Sequence, residues 1–167
     1  MKQRNLKQLC LAFCLLISMG ASAQTTAVIG GLKYSFEGTS AYIIGYDAAT
    51  IPEDLVIPET VEYSGLTFNV TSIEESAFDS CNKIRSLKIN QSLQSIGNKA
   101  FQYTSLNSID VVLESGGIGE RAFYRCRSLQ KAKVNCPFIG HDAFEGCSNL
   151  TDLTLCNTFE IYLRQKA

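Results

Sequence analysis

One short pattern constrains this chain more than any other: isoleucine, with alanine and phenylalanine four and five positions later. It occurs four times, as Ile73–Phe78 (IEESAF), Ile96–Phe101 (IGNKAF), Ile118–Phe123 (IGERAF) and Ile139–Phe144 (IGHDAF). The phenylalanines stand at 78, 101, 123 and 144, so the steps are 23, 22 and 21 residues. A period of this size is the mark of a stacked repeat, in which one short strand and its return form one coil.

Other positions keep step. Cys81, Thr104, Cys126 and Cys147 lie three residues after each phenylalanine, and Ile84, Leu106, Leu129 and Leu150 follow. Then come the alternating pairs Leu87/Ile89, Ile109/Val111, Ala132/Val134 and Leu153/Leu155. Alternation at a spacing of two is the signature of a half-buried strand. A unit of roughly 22 residues encloses too little volume to hide its own apolar side, so the units must stack and share one interior. The expected fold is a leucine-rich repeat solenoid, α/β to mainly β, with parallel short strands and helical or irregular returns. Its repeat core comprises Ile73, Phe78, Cys81, Ile96, Phe101, Ile118, Phe123, Cys126, Ile139, Phe144 and Cys147.

The ends differ. Lys2, Arg4 and Lys7 precede an apolar run from Leu9 to Met19, and Ala21-Ser22-Ala23 follows. Basic start, apolar middle and small-residue cleavage site are the three parts of a secretory signal peptide, expected over 1–23. The run is too short for a membrane span, which takes about 20 residues. Leu11-Ala12-Phe13-Cys14 resembles a lipid-attachment box only faintly, because Phe13 is bulky where a small residue belongs. Residues 24–70 are expected to form a β cap. Leu32–Phe36 and Ala41–Tyr46 read as strands joined by a turn at Glu37-Gly38-Thr39-Ser40. Val61–Val70 reads as a second hairpin turning at Ser64-Gly65, with Tyr63 and Phe68 as a cross-strand aromatic pair. Between them Leu55-Val56-Ile57-Pro58 is the strand of a degenerate first repeat; the 32 residues from Ile57 to Ile89, less a ten-residue hairpin, restore the step of 22. About four units fill 71–156. Residues 157–167 form a tail or partial cap, in which Phe159, Ile161 and Leu163 alternate as a strand would.

Cleavage after Ala23 removes three of the 15 basic residues and none of the 16 acidic ones, leaving a formal charge of −4. That balance argues against nucleic acid and anionic membrane surfaces, which recruit clustered lysine and arginine. Catalysis finds no support either. The chain has one histidine and lacks a Gly-x-Ser-x-Gly elbow, a phosphate loop and metal-ligand spacing. The acid pairs Glu53-Asp54 and Glu74-Glu75 fall in the cap and in a variable repeat position. No cofactor or metal is expected, and His141, in the slot held elsewhere by Glu75, Asn98 and Glu120, reads as a solvated loop residue. Among Cys81, Cys126, Cys136, Cys147 and Cys156, three share one column and read as buried thiols. Export makes bridges chemically possible, and Cys126 with Cys147 is the only same-column pair in adjacent units. Cys136 and Cys156 have opposite parity and are poor partners for each other.

The positions between the buried strand residues face outward. They form two columns: Lys88, Asp110, Lys133 and Thr154, and beside them Ser86, Ser108, Lys131 and Asp152. Read simply, this is a solvated ladder of alternating charge; read functionally, it is a polar contact face for protein or glycan. No exposed aromatic pair lies in these columns, which weakens a sugar-stacking site.

The runs Val70–Phe78 with Cys81 and Ile84–Ile89, and Ile139–Phe144 with Cys147 and Leu150–Leu155, resemble the BspA-like class of bacterial leucine-rich repeats. Gly30-Gly31-Leu32-Lys33-Tyr34 and Leu55-Val56-Ile57-Pro58 are similar to the amino-terminal segments of its secreted members. The resemblance implies an exported protein, extracellular, periplasmic or on the cell surface. It implies adhesion or binding to host or matrix proteins, and it carries no catalytic residues. The chain departs from the pattern at Thr104 and Ala132, and no anchoring domain is recognisable after the repeats. Two alternatives stay open: a structural or assembly component of an envelope complex, or a shortened relative of a longer adhesin. Self-association through the carboxy-terminal end is a further expectation.

Overall fold

The computed structural model describes residues 25–89 and 92–156 and the backbone of 160–161. The expected signal peptide, and most of the expected carboxy-terminal tail with Phe159 and Leu163, lie outside the described residues.

The chain opens with an antiparallel meander of β1 (Thr25–Ile29), β2 (Leu32–Glu37) and β3 (Ser40–Tyr46). β1 is an addition to the expected strands. It folds back through Gly30 and Gly31, whose φ values of 59° and 83° suit the tight turns that close two-residue hairpins. After the meander the chain winds. Each coil contributes one strand to each of two sheets. One sheet is β4 (Asp54–Val56), β7 (Ser86–Lys88), β9 (Ser108–Val112), β11 (Lys131–Asn135) and β13 (Asp152–Cys156), all parallel. The other continues the meander: β3 pairs in parallel with β6 (Leu66–Ile73), followed by the two-residue strands β8 (Ser95–Ile96), β10 (Gly117–Ile118), β12 (Phe138–Ile139) and β14 (Glu160–Ile161). β5 (Thr60–Tyr63) pairs antiparallel with β6 as the hairpin that interrupts the first coil. Leu55 opposite Leu87 places the degenerate first repeat in register with the rest.

The hairpin's internal pairing differs from expectation. A two-residue turn at Ser64-Gly65 puts Tyr63 opposite Leu66 and Phe68 opposite Val61, so Tyr63 and Phe68 are diagonal neighbours. Phe36 of the meander fills the space between them, with ring centroids 4.7 Å from Tyr63 and 4.8 Å from Phe68.

Among the described residues the returns contain no helix; they are turns. Two residues per coil take positive φ, namely Ser76 and Ser80, Lys99 and Tyr103, Arg121 and Arg125, and Asp142 and Gly146. A left-handed residue every fourth position breaks any right-handed helical run. The return amides instead donate to the next coil: Phe78 N–H to Ala100 at 2.7 Å, Phe101 to Ala122 at 2.7 Å, and Phe123 to Ala143 at 2.8 Å. The returns are thus hydrogen-bonded coil to coil, as the strands are.

The core lies between the two sheets. Ile43, Ile73, Ile96, Ile118 and Ile139 form one buried column, and Phe78, Phe101 and Phe123 another. Successive phenylalanine rings are 4.8, 5.3 and 5.3 Å apart from Phe78 to Phe144, with planes within 4° of parallel. The spacing follows the roughly 4.8 Å separation of paired strands, and centroid distances this long mean offset stacking, the favoured parallel arrangement. Phe144 and Cys147, expected in the core, are half-buried and packed against it.

Candidate functional site

The outward face of the five-stranded sheet is the most regular polar surface of the described residues. Its strands are laid down by inward pairs such as Leu87/Ile89 and Ile109/Val111, whose burial fixes the parity of everything between them. Lys88, Asp110, Lys133 and Thr154 are direct cross-strand partners, and so are Ser86, Ser108, Lys131 and Asp152. All eight expected face residues therefore stand in two straight columns, exposed or half-buried.

Both columns begin one strand earlier than expected. Asp54 opposes Ser86 and accepts its hydroxyl hydrogen bond at 2.6 Å, while Val56 opposes Lys88 and is 59% exposed. A third column of Val112, Asn135 and Cys156 runs alongside. The signal was available: matching Ile57 to Ile89 matches Leu55 to Leu87, and the inward parity of Leu87 then makes Asp54 and Val56 outward.

Chemically this face is a set of hydrogen-bonding and charged groups held on a rigid lattice. Asp110 lies between Lys88 and Lys133 and pairs with Lys133 at 4.0 Å; both side chains of the pair are at least half exposed. A pair so open adds little stability, so its charges are available to a partner. Nothing here gathers acid, base and nucleophile. Among the described residues, no three of His, Cys, Asp and Glu come together as metal ligands, and His141 is exposed, its carbonyl accepting the Arg121 N–H at 2.9 Å.

The thiol column is interior. Cys126 Sγ donates to the Phe101 carbonyl at 3.0 Å and Cys147 Sγ to the Phe123 carbonyl at 3.1 Å, each reaching one coil back. Thr104, where the repeat would place another thiol, donates to Phe101 at 2.9 Å and meets Cys126 Sγ at 3.1 Å. The neighbouring Cys147 thiol holds the Cys126 thiol below its ordinary range, and Cys126 in turn makes the Cys147 proton harder to remove. Burial pushes the Cys136 thiol up. All five described cysteines are unbridged, including the adjacent-coil pair Cys126 and Cys147. Cys81, Cys126, Cys136 and Cys147 pack in or against the core, and the last three also donate to backbone carbonyls.

Sequence reasoning missed the first rung of the ring stack. Tyr46, at the end of β3, stacks on Phe78 with centroids 5.8 Å apart and planes 10° from parallel. It belongs to the cap, where no repeated spacing announces it.

A family model for the BspA type leucine rich repeat region matches residues 54–165 in six copies. This chain is a BspA-type leucine-rich repeat protein. No curated protein matches it. Solved structures share the fold. The pneumococcal vaccine antigen PcpA superposes with a TM-score of 0.66 at 20% identity, over 86% of this chain and 43% of that one. A leucine-rich repeat protein from Bacteroides capillosus gives 0.60 at 22% identity, over 85% of this chain and all of the other. A leucine-rich cell surface protein from Faecalibacterium prausnitzii gives 0.56 at 19% identity and 84% coverage; this chain spans 45% of it. At these identities the likeness is one of fold. No helix of the described residues is long and apolar enough to cross a membrane.

Proposed function

We propose that this BspA-type protein is an exported, non-catalytic protein-binding module that acts at the cell surface, with adhesion as its use. The carrying observation is the in-register outward lattice of Ser86, Lys88, Ser108, Asp110, Lys131, Lys133, Asp152 and Thr154. Repeat proteins commonly bind through such a surface, because stacking presents many weak contacts in fixed relative positions. Rigid presentation lowers the ordering cost of association. The surface setting of the Faecalibacterium prausnitzii structural neighbour and the signal-peptide pattern of residues 1–23 support the location.

The test is capture with the purified mature chain from two sources, host extracellular matrix and the producing cell's envelope. A variant with Lys88, Asp110, Lys131 and Lys133 all changed to serine is run beside it. Enrichment of matrix proteins by the parent and not by the variant is expected. Enrichment of envelope subunits would assign the chain to a structural or assembly role. Equal capture by parent and variant would remove the lattice from the account.

A further inference from the structure

A second surface lies where the returns of two central coils run into the five-stranded sheet. Tyr103, Thr104, Ser105, Arg125, Arg127 and Ser128 line an open groove of about 320 Å³. Its composition departs from the repeat around it. Position by position through the four coils, one column reads Ser80, Tyr103, Arg125, Gly146 and another Asn82, Ser105, Arg127, Ser148. The flanking coils are small or polar there, and the central ones carry an aromatic ring and two guanidinium groups. The choice opposes backbone preference. Tyr103 and Arg125 both hold φ values in the left-handed region, 56° and 53°, where Gly146 of the next coil shows the residue that fits without strain.

Charge is concentrated here as well. All four arginines of the described residues border this zone: Arg85 donates to the Ser105 carbonyl at 3.5 Å, Arg121 is next to Tyr124, and Arg125 and Arg127 line the groove. Arg121 is neutralised by Asp142 at 3.4 Å and Glu120 at 3.7 Å. Arg125 instead lies over the Tyr124 ring, 5.1 Å from its centroid, which fixes the guanidinium without spending its N–H groups on a carboxylate.

We infer that this groove is a docking site for an acidic segment of a partner protein, with Arg125 and Arg127 reading carboxylates and Tyr103 supplying the apolar contact. Arginine forks match carboxylates in paired hydrogen bonds, and tyrosine and arginine dominate the energetics of protein contacts. A sugar-stacking platform fits less well: Tyr103 and Tyr124 meet edge to face at 86°, and the face of Tyr124 is occupied by guanidinium groups. The surface is separate from the strand lattice proposed above and does not depend on it.

The experiment is fluorescence anisotropy on the mature chain with a labelled octapeptide of alternating glutamate and glycine. The matched glutamine peptide and a heparin oligosaccharide serve as competing probes. The glutamate peptide is expected to bind at low salt, with its affinity reduced about tenfold by the R125A/R127A double substitution. The R125K/R127K pair, which keeps the charge and loses the fork, is expected to fall between. The four-serine lattice variant is expected to bind as the parent does. Unchanged thermal unfolding of each variant shows that the fold is intact. Equal binding of glutamate and glutamine peptides, full binding by the double alanine variant, or binding of heparin alone would overturn the assignment.

Discussion

Gly119 shows how close neighbouring coils come. A Cβ there would lie 2.6 Å from Asn98 Oδ1 and 2.7 Å from the Asn98 backbone nitrogen, and Gly97 and Gly140 meet the coil before them in the same way. These Ile-Gly steps are therefore contact glycines, required by proximity. Gly119→Ala is expected to cost about 2 kcal/mol or more, because backbone must move; a urea midpoint unchanged from the parent would contradict this. Thr104→Val keeps shape and removes the hydroxyl that serves Phe101 and Cys126, and its expected cost is about 1 kcal/mol by the same measurement. Asp47 gives a pH dependence. Its carboxylate accepts from Ala49 N–H and Thr50 Oγ1, both at 3.0 Å, which holds its pKa below the usual range. A depressed folded pKa means stability that is present above the unfolded pKa and lost as pH falls through the folded one. Chemical denaturation between pH 6 and pH 2.5 is expected to show a smaller acid loss in Asp47→Asn than in the parent. The columns of Ile, Phe and Cys were legible because repetition converts a spacing into a neighbour. Left-handed residues were not, since Ser76, Lys99, Arg121 and Asp142 share no residue type that announces positive φ; only Gly146 gives a local sign.

At the level of elements, the return is the informative one. A compact segment between strands is equally consistent with a helical turn and with a chain of tight turns, and only the destination of its amides decides. Here they go to the next coil, so each return acts as a rung as much as a connection. The ring stack reports this directly. Phe101 is wholly buried between Phe78 and Phe123, whereas Phe144 is half-buried. Phe101→Ala is expected to lose about 3–5 kcal/mol and Phe144→Ala clearly less; equal losses in thermal or urea unfolding would show that the stack is not what holds the coils. The strand ladder was legible down to its residue pairs, because inward parity dictates outward parity. The Tyr103 and Arg125 groove was not, because it arises where the repeat departs from itself, and a single sequence read for its regularities passes over such positions.

As a whole the molecule is close to one-dimensional, with each coil touching only its neighbours, so its stability is a chain of interfaces. The amides of Phe78, Phe101 and Phe123, inside the returns and bonded across coils, are expected to exchange with deuterium only when adjacent coils separate. Exchange at those sites as fast as in the exposed turn at Ser64-Gly65 would break the picture of rungs and interfaces. The hairpin formed by β5 and β6 shows another property of such a chain. It leaves the first coil and rejoins it with Leu55 still opposite Leu87 and Ile73 still opposite Ile96. A winding scaffold that absorbs a detour of this length without losing step can carry cargo there. Epitope tags or reporter loops spliced at Ser64-Gly65 would be displayed at the surface while the coils downstream keep their thread.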